Sequence, residues 1–217
     1  MSIGMSSGFI NWMSKKLSTK HCIENVEVHG NQTLTVTTKS GETYRVGAVN
    51  GGYITLSDLD EYLNNKQLDI LVIHDGLLFM SGDAIELLRS KGIAYDSFGR
   101  FSTGLDLDDI SEHLDKENKF ISRGLVQHSE VSRVERLTNK KYKIERYSKS
   151  DLIILSINDY DLSAEAVRSA YDIHGVCDII LSSNPYSRIT QEAVVAAQSM
   201  RIEIFKWGDL LGRLSKE

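Results

Sequence analysis

The sequence predicts an α/β fold made of two similar lobes that arose by an internal duplication. Segments of the first half recur in the second half at a nearly constant interval, and their order never breaks. Matched segments are Asp69-Ile70-Leu71 with Asp178-Ile179-Ile180, Ser81 with Thr190, Ile93 with Ile202, Phe98 with Trp207 and Gly99 with Gly208. Upstream the interval is shorter by a single position and matches Val26-Glu27 with Val134-Glu135 and Val36 with Ile144. A repeat of this length is too long for a solenoid and suits one small α/β layer pair.

Each lobe is predicted to open with a helix and a three-stranded meander. Apolar residues at positions 9, 10, 13 and 17 fit one face of a helix, and Phe120, Ile121 and Leu125 open the second lobe similarly. Alternating apolar residues then indicate three strands in each lobe, around Val26, Leu34 and Val46 and around Val134, Ile144 and 152–155. In the second lobe, turns are predicted at Thr138-Asn139 and Lys149-Ser150.

Helices and buried strands are predicted to alternate after the meander. Ser57, Ser81, Ser163 and Thr190 each precede a helical pattern with early acidic residues, which favours helix starts there. Short apolar runs at 68–73 and 177–181 are typical of strands inside a sheet, and 93–95 and 202–205 close the lobes. The predicted order in each lobe is therefore helix, three-stranded meander, then helix, strand, helix, strand.

An acidic segment separates the two lobes. It contains Asp106, Asp108, Asp109, Glu112, Asp115 and Glu117. We predict a linking helix whose charged face is solvated. The predicted domains are a first lobe at 1–105, an acidic linking helix at 106–118 and a second lobe at 119–217.

Composition is typical of an ordinary globular chain. The 217 residues are 41% hydrophobic and 25% charged, with a net charge of −5, so a surface that binds phosphate must be a local patch. No apolar run is long enough for a membrane span, and no secretory signal is present, so we expect a cytoplasmic protein without a membrane partner. Cys22 and Cys177 have neither metal-ligand spacing nor a disulfide framework.

The second half ends in a pattern that resembles a known family. Asn184-Pro185-Tyr186-Ser187-Arg188-Ile189-Thr190-Gln191-Glu192-Ala193 is followed by Ala196-Ala197, an apolar strand at 202–205 and Trp207-Gly208-Asp209-Leu210-Leu211. This order is similar to the C-terminal part of the Mrr-type restriction-endonuclease-like fold, and Gly8-Phe9-Ile10 before Leu17 resembles the family's opening helix. The resemblance implies two restriction-endonuclease-like lobes and, by analogy of fold, a place in a restriction or phage-defence system.

The resemblance also implies where a catalytic site would lie. In active members, the site that holds magnesium has an Asp on the second strand. On the third strand it has a Glu or Gln, followed two residues later by a Lys. In the first lobe the matching third-strand segment is Val46-Gly47-Ala48-Val49, and the second strand carries Thr33, Thr35 and Thr37. In the second lobe the third-strand segment is Leu155-Ser156-Ile157-Asn158, and the second strand carries Lys141, Lys143 and Glu145. We therefore expect no catalytic residue, metal or cofactor, and a non-catalytic binding or scaffold protein.

One local patch is strongly basic. Seven cations lie within residues 133–149: Arg133, Arg136, Lys140, Lys141, Lys143, Arg146 and Lys149. On a hairpin, Lys141 and Lys143 would share one side while Tyr142 and Ile144 take the other. Such a ribbon suits a nucleic-acid backbone. The same sequence is equally compatible with a hairpin whose charge only balances the acidic segment and binds no nucleic acid. The predicted partner is therefore left as either a protein or a nucleic acid.

Two other functions remain open from the sequence. A magnesium-dependent DNA endonuclease with displaced acidic residues would use Glu145, Asp151, Asp159 and Asp161. A small-ligand sensor would use a cleft between the lobes, near His74-Asp75 and Ser183-Asn184. Uncovered strand edges would also allow pairing with another copy of the chain, so a homodimer stays open.

Overall fold

The chain is a mixed α/β protein whose contacts divide it into two compact units, Met1–Lys116 and Glu117–Glu217. A computed structural model describes residues 7–30 and 32–216, apart from the side chains of Ser7, Asp75, Ser111 and Glu112. The coarse prediction of an α/β fold is confirmed, and the predicted order of helices and strands is present in each unit.

The first unit contains a five-stranded sheet, within the described residues, in the order β1-β2-β3-β4-β5. Its elements are α1 (Ser7–Ser18), β1 (Ile23–His29), β2 (Thr33–Thr38), β3 (Thr43–Ile54), α2 (Leu56–Leu63), β4 (Ile70–Met80), α3 (Gly82–Ser90), β5 (Ala94–Ser97), α4 (Phe98–Asp106) and α5 (Ile110–His113). The meander β1-β2-β3 is antiparallel, and β3, β4 and β5 are parallel.

The second unit repeats this arrangement in the order β6-β7-β8-β10-β12, with a separate short parallel pair β9-β11. Its elements are α6 (Lys116–Val126), β6 (Val131–Arg136), β7 (Lys141–Arg146), β8 (Lys149–Ile157), β9 (Asp161–Leu162), α7 (Ala164–His174), β10 (Ile179–Ser182), β11 (Arg188–Ile189), α8 (Gln191–Ser199), β12 (Glu203–Lys206) and α9 (Trp207–Leu214). The meander β6-β7-β8 is again antiparallel, and β8, β10 and β12 are parallel.

The strand registers of the two units match at the intervals seen in the sequence. Val26 pairs with Val36 in the first sheet, and Val134 pairs with Ile144 in the second. In the parallel parts, Val46 pairs with Ile70, and Ile154 pairs with Ile179. The shorter upstream interval holds as far as the third strand of each sheet, and the longer downstream interval applies from the fourth strand onward. Equivalent positions can therefore be assigned residue by residue.

The long pair β3-β4 of the first unit is divided in the second. Gly51 lies so close to β4 that a Cβ atom there would overlap the carbonyl oxygen of Gly76. Gly76 itself has φ of 75°, in the left-handed region that favours glycine. The equivalent residues in the second unit are Asp159 and Pro185. Because neither can reproduce that approach, the strands separate after β8 and β10 and pair again as β9 and β11.

Each sheet is covered by helices on both faces. Met13 of α1 and Phe101 of α4 pack on one face of the first sheet, whereas α2 and α3 pack on the other. In the second unit, α6 and α9 cover one face, and α7 and α8 the other. Each unit therefore has its own two-sided core. Burying each large aliphatic side chain in such a core stabilises the fold by about 1.5–3 kcal/mol.

Two predictions for the connecting segments are corrected by the structure. The acidic segment 106–118 is not one helix, because Asp108 and Asp115 adopt positive φ values of 51° and 53° that end the helical turns before them. The turn between β7 and β8 is at Tyr147-Ser148, where Ser148 has φ of 54°, and Lys149 already begins the strand.

The predicted helix caps are largely correct. Ser163 and Thr190 accept hydrogen bonds from backbone amides of α7 and α8. Ser81 precedes α3 without such a bond. In α2 the cap is Thr55 and not Ser57, since Thr55 and Asp58 form a reciprocal capping box. Among the residues described, no helix is both long and apolar enough to cross a membrane.

Candidate functional site

The basic hairpin β6-β7 has the predicted alternation of faces. Tyr142 and Ile144 are fully buried on one side, while Lys141, Lys143 and Glu145 are half-buried on the other. Pairing of β7 with β8 places Lys143 beside Ile153, one strand from the carboxylate of Asp151. The hairpin therefore presents its charged side chains along one face of the second sheet.

Most cations of this patch are occupied by partners within the unit. Lys143 Nζ lies 3.0 Å from Asp151 Oδ2 and 3.4 Å from Glu145 Oε1, and the hydrogen bond to Asp151 raises the pKa of the Lys143 ammonium. The other contacts are Arg133 with Glu145, Lys140 with Glu117, Lys149 with Glu130, Lys141 Nζ with the carbonyl of His174 and Arg136 Nη2 with the carbonyl of Asn139. Four of the seven cations are thus paired with carboxylates, whereas Lys141 and Arg136 donate to carbonyl oxygens and keep their charge.

Arg146 differs from the other predicted binding residues because it faces the core. It is only 6% exposed and lies on the same face of β7 as Tyr142 and Ile144. Its guanidinium donates to the carbonyl oxygens of Ser150, Leu214 and Lys216, at 2.8, 3.0 and 2.7 Å. Arg146 therefore satisfies backbone groups at the end of α9 and cannot contact an external ligand in this arrangement.

The acidic residues of the nuclease alternative do not converge. Asp151 lies near the start of β8, whereas Asp159 and Asp161 follow its end. Asp151 and Ile157 are six positions apart on β8, a span of roughly 20 Å at about 3.3 Å per residue. Glu145 and Asp151 share Lys143 instead of a cation. Within 7–30 and 32–216, no three His, Cys, Asp or Glu side chains are grouped so that they could hold a metal ion.

A partly buried polar cluster lies where β8 and β10 end. We call it the Glu117 cluster: Glu117, Lys140, Asn158 and Ser183. Glu117, in the first turn of α6, accepts a hydrogen bond from Ser183 Oγ at 2.7 Å and pairs with Lys140 Nζ at 3.0 Å. The Asn158 side chain gives Glu117 a further hydrogen bond. The next residue of α6, Asn118, accepts the hydroxyl of the buried Tyr142.

The environment of Glu117 keeps its carboxylate ionised. Burial alone would raise its pKa, but the Lys140 ammonium and the hydrogen bonds from Ser183, Lys140 and Asn158 outweigh this effect, so the pKa is lowered. A carboxylate with a lowered pKa is a weak base, and both of its oxygens already accept hydrogen bonds. Ser183 therefore has no effective base to activate its hydroxyl, and the cluster is suited to holding α6 against the sheet.

The first unit has aromatic residues at two of the four positions of this cluster. The equivalents of Glu117 and Ser183 are Phe9 and His74, whose ring centroids are 4.1 Å apart. His74 contacts Phe9 of its own unit, Ser183 contacts Glu117 of its own unit, and Asn184 accepts a hydrogen bond from the backbone amide of Tyr186. A ligand cleft near His74 and Ser183-Asn184 stays a prediction. The side chain of Asp75, the other residue of that prediction, lies outside the described part of the structure.

Sequence reasoning missed the Glu117 cluster because Glu117 belongs to the acidic segment in the sequence. The one signal that could have found it is the upstream repeat interval, which aligns Glu117 with Phe9 on the opening helix. Comparisons with protein-family models, with curated proteins and with solved structures found no match. Function must therefore be inferred from the residues of the two units.

Proposed function

We propose that this chain is a non-catalytic binding protein built from two degenerate restriction-endonuclease-like lobes. The matching strand orders and registers of the two units support an internal duplication. The residue types on the equivalent third strands support degeneracy. Val46, Gly47 and Ala48 lie on β3, and Leu155, Ser156 and Ile157 lie on β8, where active members need metal-binding side chains.

The observation that carries this proposal is the position of the remaining acids. A metal-assisted hydrolysis needs two or three oxygen ligands around one ion. Asp151 and Glu145 are paired with Lys143, and Asp159 and Asp161 lie at the far end of β8. Glu117 is a single carboxylate with its oxygens occupied. By analogy of fold alone, we extend the proposal to a scaffold role in a restriction or phage-defence system.

Incubation of supercoiled plasmid with the purified chain and Mg²⁺ or Mn²⁺ tests the absence of catalysis. We expect the plasmid to remain supercoiled in both ions because no described carboxylates are positioned to share one. Asp151→Ala and Asp159→Ala are the informative variants, and Asp172→Ala, exposed on α7, is the matched control. Cleavage that disappears in either informative variant and persists in Asp172→Ala would show that the displaced acids form a nuclease.

A further inference from the structure

An exposed aromatic ring recurs at the same position on the opening helix of each unit. Trp12 of α1 is 44% exposed, and Phe120 of α6 is 57% exposed. The upstream interval that relates the equivalent strands also relates these two residues. Because a large part of the ring stays exposed on both helices, its recurrence indicates a surface that meets another molecule.

A second ring supports each exposed ring from the last long helix of its unit. The centroids of Trp12 and Phe98 are 4.8 Å apart, and those of Phe120 and Trp207 are 5.0 Å apart. Trp207 lies so close to α6 that a Cβ atom on Gly124 would be 2.8 Å from its Cη2 atom, so a larger residue there would displace the ring. Each exposed ring therefore packs against a second ring, which reduces the side-chain freedom that it would lose on binding.

A cation follows each exposed ring by one helical turn. Lys15 follows Trp12, and Arg123 follows Phe120 at the equivalent position, so ring and cation share a helix face. Lys16 adds a second cation in the first unit. Lys15, Lys16 and Arg123 are exposed and form no ion pair with any described carboxylate. In this they differ from the paired cations of the β6-β7 hairpin.

We propose that these aromatic–basic faces bind single-stranded nucleic acid, Trp12 with Lys15 and Lys16 in one unit and Phe120 with Arg123 in the other. The inference rests on the proposed binding function and names the class of its partner. An exposed ring stacks on an unpaired base regardless of sequence, and the neighbouring cation contacts the phosphate. A duplex hides its base faces, so double-stranded DNA would use the cations only and bind more weakly.

The charge of the chain limits the strength of this binding. With a net charge of −5, attraction is restricted to the two faces, where Lys15, Lys16 and Arg123 have no ion-pair partner among the described residues. For single strands, the logarithm of the binding constant falls by about 0.7 per engaged cation for each tenfold rise in salt. We therefore expect weak binding with a shallow salt dependence and no strong sequence preference.

Fluorescence anisotropy of labelled oligo(dT) and oligo(rU) with the full chain tests this inference. We expect saturable binding at low salt and quenching of tryptophan emission. Trp12→Leu and Phe120→Leu should each weaken binding by roughly tenfold through loss of stacking. The double variant Lys15→Glu/Lys16→Glu should weaken oligonucleotide binding by more than either ring variant and reduce its salt dependence. The matched charge controls are Lys39→Glu and Arg168→Glu, exposed and without ion pairs in the described residues, and they should bind like the wild type.

Several outcomes would overturn the inference. It is wrong if neither oligonucleotide binds, if the control variants lose as much affinity as the face variants, or if anionic phospholipid vesicles bind and oligonucleotides do not. Loss of binding only in Lys140→Glu, Lys141→Glu and Lys143→Glu would show that the nucleic acid binds the β6-β7 hairpin and not the aromatic–basic faces. A failure here without plasmid cleavage leaves the non-catalytic proposal intact, whereas metal-dependent cleavage overturns that proposal separately.

Discussion

Two arginines of the β6-β7 hairpin have opposite surroundings. Arg133 is 63% exposed beside Glu145, whereas Arg146 is buried and holds three backbone carbonyls. Exposed ion pairs contribute little to stability because water screens them, but a buried guanidinium that satisfies carbonyls leaves them unpaired when it is removed. The same residue type therefore has different roles within one hairpin.

Arg146→Met should destabilise the chain, since methionine fills similar space but donates no hydrogen bond. We expect the free energy of unfolding in urea to fall by about 2–4 kcal/mol. Arg133→Met is the matched control and should change it by less than about 0.5 kcal/mol. Equal effects of the two substitutions would mean that Arg146 is not buried against the end of α9.

Glu117→Gln should reveal a pH-dependent contribution to stability. The pKa of Glu117 is lower in the folded chain than in the unfolded chain, so the unfolded chain takes up the proton first as pH falls. At pH 7 we expect the variant to be less stable by about 1–3 kcal/mol. This difference should be complete above the unfolded pKa of about 4.3 and vanish as pH falls through the lower folded pKa.

Urea unfolding of both proteins between pH 7 and pH 3 measures this difference. The matched control is Glu165→Gln, an exposed carboxylate in the first turn of α7. A difference between wild type and Glu117→Gln that stays constant over the whole range would show that the Lys140 and Ser183 contacts do not depend on ionised Glu117.

At the scale of elements, the connection between the units is interrupted by left-handed residues. Asp108 separates α4 from α5, and Asp115 precedes α6. A continuous acidic helix would instead place both residues in right-handed conformations. The conformation of Asp108 thus distinguishes the two arrangements. At a left-handed position glycine is more favourable than a β-branched residue, whereas inside a helix the β-branched residue is more favourable than glycine.

Asp108→Gly and Asp108→Val should therefore differ in stability. Both lose the 3.3 Å hydrogen bond from Ser40 Oγ, so their difference reflects the backbone. With φ of 51°, we expect Gly to stay within about 1 kcal/mol of the wild type and Val to be about 1–2 kcal/mol less stable than Gly. In a continuous helix, Val would be the more stable variant. Chemical unfolding of the two variants decides the order.

Element order was predictable because it depends on local periodicity. The alternation of Tyr142 and Ile144 with Lys141 and Lys143 indicated a strand, and the structure has this strand as β7. The boundaries of the linker were not predictable, since a left-handed aspartate has no distinctive sequence pattern. Charge partners were also missed because they depend on how distant segments pack: Lys140, before β7, meets Glu117 on α6.

At the scale of the whole chain, each unit has its own pair of hydrophobic cores. Leu155 lies in the core between the second sheet and α7-α8, and Leu71 lies in the core between the first sheet and α2-α3. Both are fully buried. Substitution of either leucine by alanine removes about the same apolar volume. Each variant therefore serves as the control for the other.

Leu155→Ala should lower amide protection mainly in β8, β10 and β12, and Leu71→Ala mainly in β3, β4 and β5. Each should lower the stability of its own sheet by about 2–5 kcal/mol, through lost burial and the cavity left behind. Native-state hydrogen exchange measures protection strand by strand. Equal loss of protection in both sheets from a single substitution would show that the units unfold as one.

The contact of Gly51 with Gly76 restricts which residues the first unit can carry at this strand end. No side chain fits at Gly51, whereas a Cβ atom on Gly76 would have open space but its φ of 75° strains residues other than glycine. The second unit has Asp159 and Pro185 at the equivalent positions, and its strands pair again only as β9 and β11. The second unit therefore accommodates side chains at this strand end, whereas the first unit accepts only glycine there without overlap or strain.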